Sequence, residues 1–453
     1  MPKQCYEIID TSLFVKEGQD HLDSSKKETY TLSRYFPANT VYFYAFPAGE
    51  ESGFINSVPT WVEELVSGRP LLCSGSNMKV ITFASVYNHS ILNLLAEMNV
   101  VPLQSSHVFI LPEDITADVT GKARNDKVKT ALRNLKLQKS LVMAQPFLDE
   151  NLQDSYQISP NTCVWFNDKE NLTEYIPSEN LPVEYDLFLS GKDFAKSTKI
   201  YPTPCVVKMS SSSAGDGVRI CNSDEDLKSS KEAFKNLDGH VIIYKFIYSV
   251  RNLCVQFGIP ADPKKKIEII GYNEQVIGKW GEFLGGMVTP EFDQPELQDL
   301  FKLMEENILP KLRAKGWHGV GGLDVLITEK NKYYFIDPNC RMTASFVFVC
   351  QVKNKQIKKS LLGFTGTFEG SESDFRKTVL PIAKLGTAEQ LLNIASMSYR
   401  NGIFYFYGAV LFDKNTPKEV NAQKVLDLGI KSPTLLCLCE QLGIKSPLLD
   451  YKE

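Results

Sequence analysis

The fold of this chain is decided by residues 321–341, which read GGLDVLITEKNKYYFIDPNCR. Apolar, β-branched and aromatic residues fill both flanks of the stretch, a composition typical of strands. A reversal centred on Lys330 and Asn331 pairs the two flanks as an antiparallel hairpin in which Asp324 faces Asp337. Side chains that face each other in this way lie roughly 5 Å apart at their Cβ atoms.

The facing carboxylates predict a metal site. Two acids at this separation repel each other unless a cation lies between them. Asp337, Asn339 and Arg341 alternate along the second flank, so the pattern places all three on one face of a strand. Oxygen ligands of this kind suit Mg²⁺, a hard cation. A solvated hairpin is the commoner setting for a pair of acids, but it does not account for the alignment of Asn339 and Arg341.

Two further elements lie upstream of the hairpin. A short strand at 205–209 contains Lys208 and runs into a loop of small residues at 210–217, which a second strand follows. Such a loop can bring backbone N–H groups onto phosphate oxygens, although most loops of this composition are only flexible. The apolar strand at 241–247 could form the hinge of an adenine site, and a buried core strand fits it equally well. The loop at 210–217 does not have the spacing of a Walker loop.

The order and spacing of these elements resemble the ATP-grasp superfamily, over roughly residues 120–350. The matching parts are the strand 206–208 with its Ser/Gly loop, the hinge strand that ends at Ile247, the glycine-rich segment from Gly319 to Asp324, and the motif 337–341. That motif is similar to the family's Glu-x-Asn-x-Arg. Within the superfamily the chain looks most like the carboxylate–amine ligases, which include amino-acid and peptide ligases.

The resemblance implies roles for these residues. Asp324, Asp337 and Asn339 would hold one Mg²⁺ ion or two, with Mn²⁺ as an alternative, and Arg341 would stabilise an acyl-phosphate and its tetrahedral successor. Lys279 is a second catalytic candidate, for which an exposed structural lysine is the commoner interpretation. The implied ATP-binding residues are Lys208, Ser211, Ser212, Ser213, Gly215, Gly217, Tyr244, Lys245, Phe246 and Ile247.

Three positions depart from the family pattern. Asp337 stands where the family more often has Glu, and the shorter side chain draws the carboxylate back by roughly 1.3 Å. Tyr244 and the pair Arg251-Asn252 stand where glutamates are expected at the hinge and at the ribose. The number of metal ions and the choice of nucleotide base therefore stay open.

The activity that the resemblance implies is ATP- and Mg²⁺-dependent ligation. A carboxylate would be activated as an acyl-phosphate and joined to an amine, with release of ADP and phosphate. A phosphotransferase on the same fold and a non-catalytic nucleotide-binding protein are the alternatives. No local motif identifies the acid or the amine.

The fold class predicted is α/β (α+β). Strands at 40–46, 79–85 and 108–112 with a helix near 90–98 indicate an open, mostly parallel domain, and 295–314 reads as an amphipathic helix. The predicted organisation has four parts: an N-terminal domain at 1–125, a connecting helical and irregular region at 126–200, an ATP-grasp core at 201–345 and a C-terminal region at 346–453. Within the core we expect a lid loop at 208–220, a hinge at 241–247 and a metal hairpin at 321–341.

Composition narrows the class of protein. The 453 residues include 43% hydrophobic and 23% charged residues, which are values typical of globular proteins with two or three domains. A net charge of −4 without a basic run argues against nucleic acid as a partner. No apolar run approaches the roughly 18 residues of a membrane span, and the first residues lack a signal-peptide core.

The cysteines and a short repeat complete the sequence evidence. Ten cysteines without a Cys-x-x-Cys pair favour reduced thiols, so the expected location is cytoplasmic. The expected partners are small-molecule carboxylate and amine substrates, and whether the chain forms a homo-oligomer stays open. Residues 428–433 read LGIKSP and recur at 442–447, for which a local duplication is the simplest account.

Overall fold

The computed structural model describes residues 30–47, 59–75, 77–115, 121–212, 217–278, 281, 283–354, 356–413 and 418–441. These residues form three β-sheets flanked by helices. One sheet is parallel and the other two are antiparallel, which confirms the predicted mixed α/β class. No helix within these ranges is long and apolar enough to cross a membrane.

The N-terminal sheet is four-stranded and parallel. Its strands, in the spatial order β3-β2-β1-β4, are β1 (Val41–Phe43), β2 (Lys79–Phe83), β3 (Val108–Leu111) and β4 (Leu141–Met143). The helices of this region are α1 (Thr60–Val66), α2 (His89–Glu97) and α3 (Gly121–Asn134). The predicted strands and the helix at 90–98 are therefore confirmed. At the start of α2, the Asn88 side chain accepts a hydrogen bond from the Ile91 amide and caps the helix.

The N-terminal unit extends past the boundary predicted at residue 125. Strand β4 pairs in register with β1, from Val41 with Leu141 to Phe43 with Met143. The region 126–200 is thus no simple connection, because α3 and β4 complete the first sheet. A strand of three residues leaves too short an apolar run to be distinguished in the sequence from the loops around it.

A second sheet forms the lid subdomain. Its antiparallel strands, in the order β5-β8-β6-β7, are β5 (Glu184–Phe188), β6 (Cys205–Met209), β7 (Val218–Cys221) and β8 (Val241–Lys245). Helices α5 (Gly191–Lys196) and α6 (Asp224–Phe234) pack on one face, and α4 (Pro160–Asn167) precedes the subdomain. Because β5 is an edge strand of this sheet, the lid begins before the predicted boundary at 201.

The third sheet has nine antiparallel strands. They are β9 (Arg251–Ile259), β10 (Glu268–Ile277), β11 (Phe283–Val288), β12 (Gly319–Ile327), β13 (Tyr333–Asn339), β14 (Ser360–Glu369), β15 (Leu392–Arg400), β16 (Ile403–Phe412) and β17 (Ile430–Lys431). Their order is β13-β12-β9-β10-β11-β14-β16-β15, with β17 beside β14. Strands from the predicted C-terminal region thus continue the core sheet through the pairing of β11 with β14, and no boundary falls at 346.

Helices pack against the strands of this large sheet. They are α7 (Gln298–Leu303), a π-helical segment Met304–Ile308, α8 (Leu309–Ala314), α9 (Phe346–Lys353), α10 (Glu372–Thr378), α11 (Leu380–Ala383), α12 (Lys418–Asp427) and α13 (Pro433–Gln441). The predicted amphipathic helix at 295–314 is confirmed, with a π turn just before Pro310. Proline has no amide hydrogen for the helix ladder, and the wider turn accommodates it.

Short 3-10 helices and the repeat complete the description. The 3-10 helices are Leu32–Arg34, Arg69–Leu72, Ser105–His107, Glu150–Ser155, Lys169–Glu174, Ser178–Asn180 and Pro295–Leu297. The first LGIKSP copy contains β17 and leads into α13, whereas the second copy lies outside the described residues.

One hydrophobic core joins the N-terminal unit to the large sheet. Tyr42 and Leu65 pack in the same buried cluster as Leu323 and Phe335 of the predicted metal hairpin. The Met342 amide also donates a hydrogen bond of 3.2 Å to the Tyr42 hydroxyl. The end of β13 is therefore fixed against the N-terminal sheet, and the space between these elements and the lid becomes a cleft.

Candidate active site

The cleft has a volume of about 440 Å³. The lid sheet, the metal hairpin, the N-terminal unit and strands β14 and β16 all contribute to its walls. The predicted site residues that line it are Lys208, Tyr244, Lys245, Phe246, Ile247, Asp324, Asp337, Asn339 and Arg341. The structure thus brings the predicted hinge, lysine and metal residues into one space. Ser213, Gly215 and Lys279 lie outside the described residues.

The hairpin has the predicted pairing at its functional positions. Asp324 is directly opposite Asp337. Towards the turn the register shifts by one residue, and Ile336 is left as a bulge without a partner on β12. The freed Ile336 carbonyl accepts a hydrogen bond of 3.0 Å from Lys208 Nζ. The bulge therefore connects the lid strand β6 to the strand that contains Asp337.

Two glycines allow the hairpin to pack tightly. A Cβ atom on Gly321 would lie 2.6 Å from the Phe257 ring and 2.9 Å from the backbone oxygen of Asn339. A Cβ atom on Gly322 would lie 2.6 Å from Cys254 Sγ and 2.7 Å from Thr343. Carbon atoms do not approach so closely, so these positions require glycine. The residues that follow Asn339 can then lie against β12 and line the cleft.

Arg341 occupies a different position from the one predicted. Strand β13 ends at Asn339, and the Arg341 amide donates to the Asn339 carbonyl in a tight turn. Only Asp337 and Asn339 therefore share the strand. The Arg341 guanidinium is held by a hydrogen bond of 2.6 Å from Nη1 to Asn167 Oδ1 of α4. Arg341 still lines the cleft, but it reaches it from beyond the strand end.

Asp324 is a buried acid with unused hydrogen-bonding capacity. The residue is 8% exposed, and Oδ1 has no hydrogen-bond partner among the described residues. Burial, followed by the charge of Asp337, raises the pKa of Asp324 to about 6. A buried carboxylate oxygen without a donor is unfavourable unless a cation binds there. The donor set of Asp324, Asp337 and Asn339 thus fits a hard cation that keeps water or phosphate oxygens as its other ligands.

Lys208 supplies a positive charge beside this pair. The side chain is buried, and burial lowers the pKa of Lys208 to about 8 against the opposing effect of Asp337. Its neighbours on β6 alternate as expected for a strand, with Val207 and Met209 in the lid core and Val206 facing the cleft. This alternation directs Lys208 out of the lid core and towards β13.

Lys169 is a buried lysine of the candidate site that no sequence motif marks. Its side chain is 1% exposed, and Nζ lies 3.2 Å from Asp337 Oδ1. Nζ also donates to the Ser212 carbonyl at 3.1 Å, and the Lys169 amide donates to the Ser210 carbonyl at 3.0 Å. Lys169 therefore links the start of the small-residue loop to the candidate metal ligand Asp337.

The loop and the hinge differ in how they meet the cleft. Ser211, Ser212 and Gly217 flank the loop but do not line the cleft. A Cβ atom on Gly217 would lie 2.4 Å from Ser212 Oγ, so the two ends of the loop are in close contact. Strand β8 ends at Lys245, and the hinge residues Phe246 and Ile247 follow it in irregular backbone that lines the cleft.

The family comparison agrees with this geometry. Residues 186–339, about a third of the chain, match the model of an ATP-grasp family, and this segment is therefore an ATP-grasp domain of the carboxylate–amine ligase type. The matching family is described as L-aspartate–L-methionine ligase, ATP grasp. The resemblance stated from the sequence is thereby confirmed, and the match begins at the edge strand β5.

Several solved structures align with much of this chain at low sequence identity, with TM-scores just under 0.5. The 2-oxoglutarate carboxylase biotin carboxylase domain of Hydrogenobacter thermophilus, a complex with MgADP, is 12% identical with a TM-score of 0.49 over 92% of this chain and 99% of that one. Biotin carboxylase from Campylobacter jejuni is 14% identical with a TM-score of 0.48, over 82% and 90%. N5-carboxyaminoimidazole synthetase from Staphylococcus aureus is 12% identical with a TM-score of 0.48, over 89% and 100%. Identities of this size say nothing about substrates.

Proposed function

We propose that this protein is an ATP-dependent ligase that joins a carboxylate to an amine and releases ADP and phosphate. The observation that carries the proposal is the facing pair Asp324 and Asp337, with Lys208 and Lys169 beside it, inside an ATP-grasp domain. Two acids can hold a cation, and two buried lysines can offset the remaining phosphate charge. This combination suits a nucleoside triphosphate better than an uncharged ligand.

The proposed reaction has two steps. An oxygen of the substrate carboxylate bonds to the γ-phosphorus of ATP while the bond from that phosphorus to the β–γ bridging oxygen breaks, which gives ADP and an acyl-phosphate. The amine nitrogen then attacks the acyl carbon, the bond to the phosphate oxygen breaks, and the nitrogen loses a proton. The products are ADP, phosphate and an amide. Positioning and charge neutralisation would supply most of the catalysis.

The residues of this chain have separate tasks in the proposal. Asp324, Asp337 and Asn339 would hold Mg²⁺, which when bound neutralises phosphate charge. Arg341, held by Asn167, would stabilise the oxyanion that forms at the acyl carbon. The backbone of 245–247 would contact adenine, and the loop between β6 and β7 would close over the phosphates. Lys279, Ser213 and Gly215 stay proposals from the sequence.

The name of the matching family suggests the substrates to try first. It pairs L-aspartate with L-methionine, and we include in the proposal that both substrates are amino acids. The cytoplasmic location stays a proposal from the sequence, where the cysteines occur without a Cys-x-x-Cys pair.

The test is an assay of ADP and phosphate release with L-aspartate, L-methionine, both, or neither. A ligase should release ADP and phosphate in equal amounts and at a substantial rate only when an acid and an amine are both present. A phosphorylated product without free phosphate would identify the phosphotransferase alternative instead. Absence of ATP binding at millimolar concentration, measured by calorimetry, would contradict the proposal altogether.

The affinity for ATP should fall as the pH rises through about 8. The lowered pKa of Lys208 means that the free protein loses this positive charge above pH 8, whereas below that pH the ammonium group is present for the phosphates. Calorimetric titrations between pH 7 and pH 9, about one pH unit either side of the pKa of Lys208, would measure the decline in affinity for ATP.

Lys208→Arg provides the matched variant, because a guanidinium stays charged throughout this range. Its affinity for ATP should therefore be independent of pH, whatever its absolute value. If both proteins show the same pH profile, Lys208 does not contact the phosphates.

A further inference from the structure

The cleft also contains a buried cation that the proposed chemistry does not use. Arg69 begins the 3-10 helix that follows α1, is 6% exposed, and lines the same cleft as Asp324 and Arg341. In the parts of the chain that the structure describes, no carboxylate forms an ion pair with Arg69. A buried guanidinium without an anionic partner is costly, so this arrangement is a candidate binding site for an anion.

The contacts of Arg69 hold its plane in place but leave its donors available. The guanidinium carbon lies 3.7 Å from the centroid of the Tyr407 ring and 5.5 Å from that of Tyr44. Among the residues that the structure describes, the shortest polar contact of the side chain is a long one of 3.5 Å from Nη1 to the Tyr44 hydroxyl, and Nε is buried without a partner. Of five N–H donors, the described residues thus engage one weakly. Stacking between aromatic rings leaves the edge of the fork free for a planar, bidentate anion.

The position of Arg69 places that anion beside the reacting groups. Tyr407, against which Arg69 stacks, donates a hydrogen bond of 2.7 Å to the carbonyl of Ala344, three residues after Arg341. Thr343 also lines the cleft, and within the described ranges its buried hydroxyl has no hydrogen-bond partner. The anion would therefore lie on the Arg341 side of the cleft, among elements of the N-terminal unit and β16 and not among those of the lid.

Apolar side chains of α1 lie beside this position. Val66 packs in the same hydrophobic cluster as Tyr407, on which Arg69 stacks, and Val62 packs against that cluster. Both valines line the cleft. A ligand bound here should therefore combine one carboxylate with an apolar group. The carboxylate that is phosphorylated fits the Arg69 position poorly, because a bidentate arginine would engage both of its oxygens and stabilise it against reaction.

We propose that Arg69 binds the unreacted carboxylate of the amine substrate, which is consequently an α-amino acid with an apolar side chain. The inference rests on the proposed function in assigning the amine as the second substrate. The proposed function already makes both substrates amino acids, and the inference adds which residue of the chain binds the free carboxylate of the second one. Arg69 would bind and orient the substrate and would take no part in bond formation.

The test compares amino acids with their α-carboxamides, which lack the carboxylate and keep the side chain. Calorimetry on the full chain with Mg²⁺ and a non-hydrolysable ATP analogue would measure binding of the common L-amino acids, each beside its amide. At least one apolar amino acid should bind, and its amide should bind roughly 10- to 100-fold more weakly, as expected for loss of a charged hydrogen-bonded pair. Equal affinities, or no binding by any amino acid, would overturn the proposal.

The variant Arg69→Gln should lower the affinity for the acid to that for the amide, so that the ratio of the two falls to about one. Retained binding of the ATP analogue would show that the variant is folded. The matched control is Arg376→Gln, which changes a partly exposed arginine of α10 that forms an ion pair with Glu97. This control should keep the wild-type ratio of the two affinities. A wild-type ratio in Arg69→Gln would exclude the role of Arg69.

If Arg69→Gln fails to fold, the affinities of the amino acid and its amide are compared in the wild type and in Arg69→Lys. The lysine variant should keep part of the preference for the acid, because its ammonium group is still a point charge. The outcomes also separate the two proposals. Binding that depends on Arg69 without any release of ADP would contradict the ligase but support the carboxylate site. Ligase activity without discrimination between acid and amide would do the reverse.

Discussion

Asp337→Asn should lower the rate of ADP release by roughly 10³-fold or more while the protein stays folded. The side chain keeps its size, but a neutral amide cannot neutralise a cation beside phosphate oxygens. The change also leaves Lys169 without its carboxylate partner at 3.2 Å. Because Asp337 is 25% exposed, water can replace part of that contact, and we expect only a modest loss of stability. Steady-state kinetics with saturating substrates and thermal denaturation would measure the two effects.

The control for this experiment is Asp154→Asn, which removes an exposed carboxylate of the N-terminal unit with the same change of atoms. It should turn over at the wild-type rate. Calorimetry of ATP binding with and without Mg²⁺ on the double variant Asp324→Asn/Asp337→Asn extends the test, because binding should lose its dependence on Mg²⁺. A near-normal rate for Asp337→Asn would show that the metal assignment is wrong.

The centre of the site could be predicted because its partners are close in sequence. Asp324 and Asp337 belong to two flanks of one hairpin, and the strand pattern with its turn fixes which residues face each other. The bulge at Ile336 was not predictable in the same way. The carbonyl that the bulge frees accepts its hydrogen bond from the Lys208 ammonium group of the lid, more than a hundred positions earlier in the chain.

The limits of the prediction follow from sequence distance. Strands β14, β15 and β16 have clear apolar patterns, but nothing local states that β14 pairs with β11 and so continues the core sheet. The boundaries predicted at 125, 201 and 346 each cut a sheet for this reason. Pairing between distant strands depends on the packing of whole elements, which a window of local residues does not contain.

Lys169 and Arg69 show at single residues that burial which depends on distant parts of the chain is not visible in the local sequence. Lys169 lies between Asp168 and Glu170, a charged run that is typical of a solvated turn, and its contact with Ser212 spans 43 positions. Arg69 precedes Pro70 in a short connection, and the ring that it stacks against belongs to β16. Long polar side chains are usually exposed, so burial of either one becomes visible only in the folded chain.

Lys169→Met should weaken ATP binding and slow turnover, by roughly 10²-fold in kcat/KM. Methionine approximates the length of the lysine stem but supplies no charge and no donor. The variant thus loses the contacts of Nζ with Asp337 and the Ser212 carbonyl, and each hydrogen bond to a charged group is worth about 1.5–3 kcal/mol. The loop entrance, freed from Asp337, should open more often. Calorimetry would measure the affinity, and amide hydrogen exchange at residues 210–212 would measure the opening.

Lys311→Met is the matched control, since Lys311 also donates to a backbone carbonyl, that of Tyr175 at 3.2 Å, but has no contact with the cleft residues named above. It should leave ATP affinity and loop exchange unchanged. The pair of readouts separates the two roles of Lys169. Loss of affinity with unchanged exchange would mean that the lysine contacts phosphate without holding the loop, whereas faster exchange with normal affinity would make it a structural link only. If neither quantity changes, the connection from Asp337 through Lys169 to the loop has no part in nucleotide binding, and charge neutralisation at this site must rest on the metal ion and on other cations of the cleft, such as Lys208.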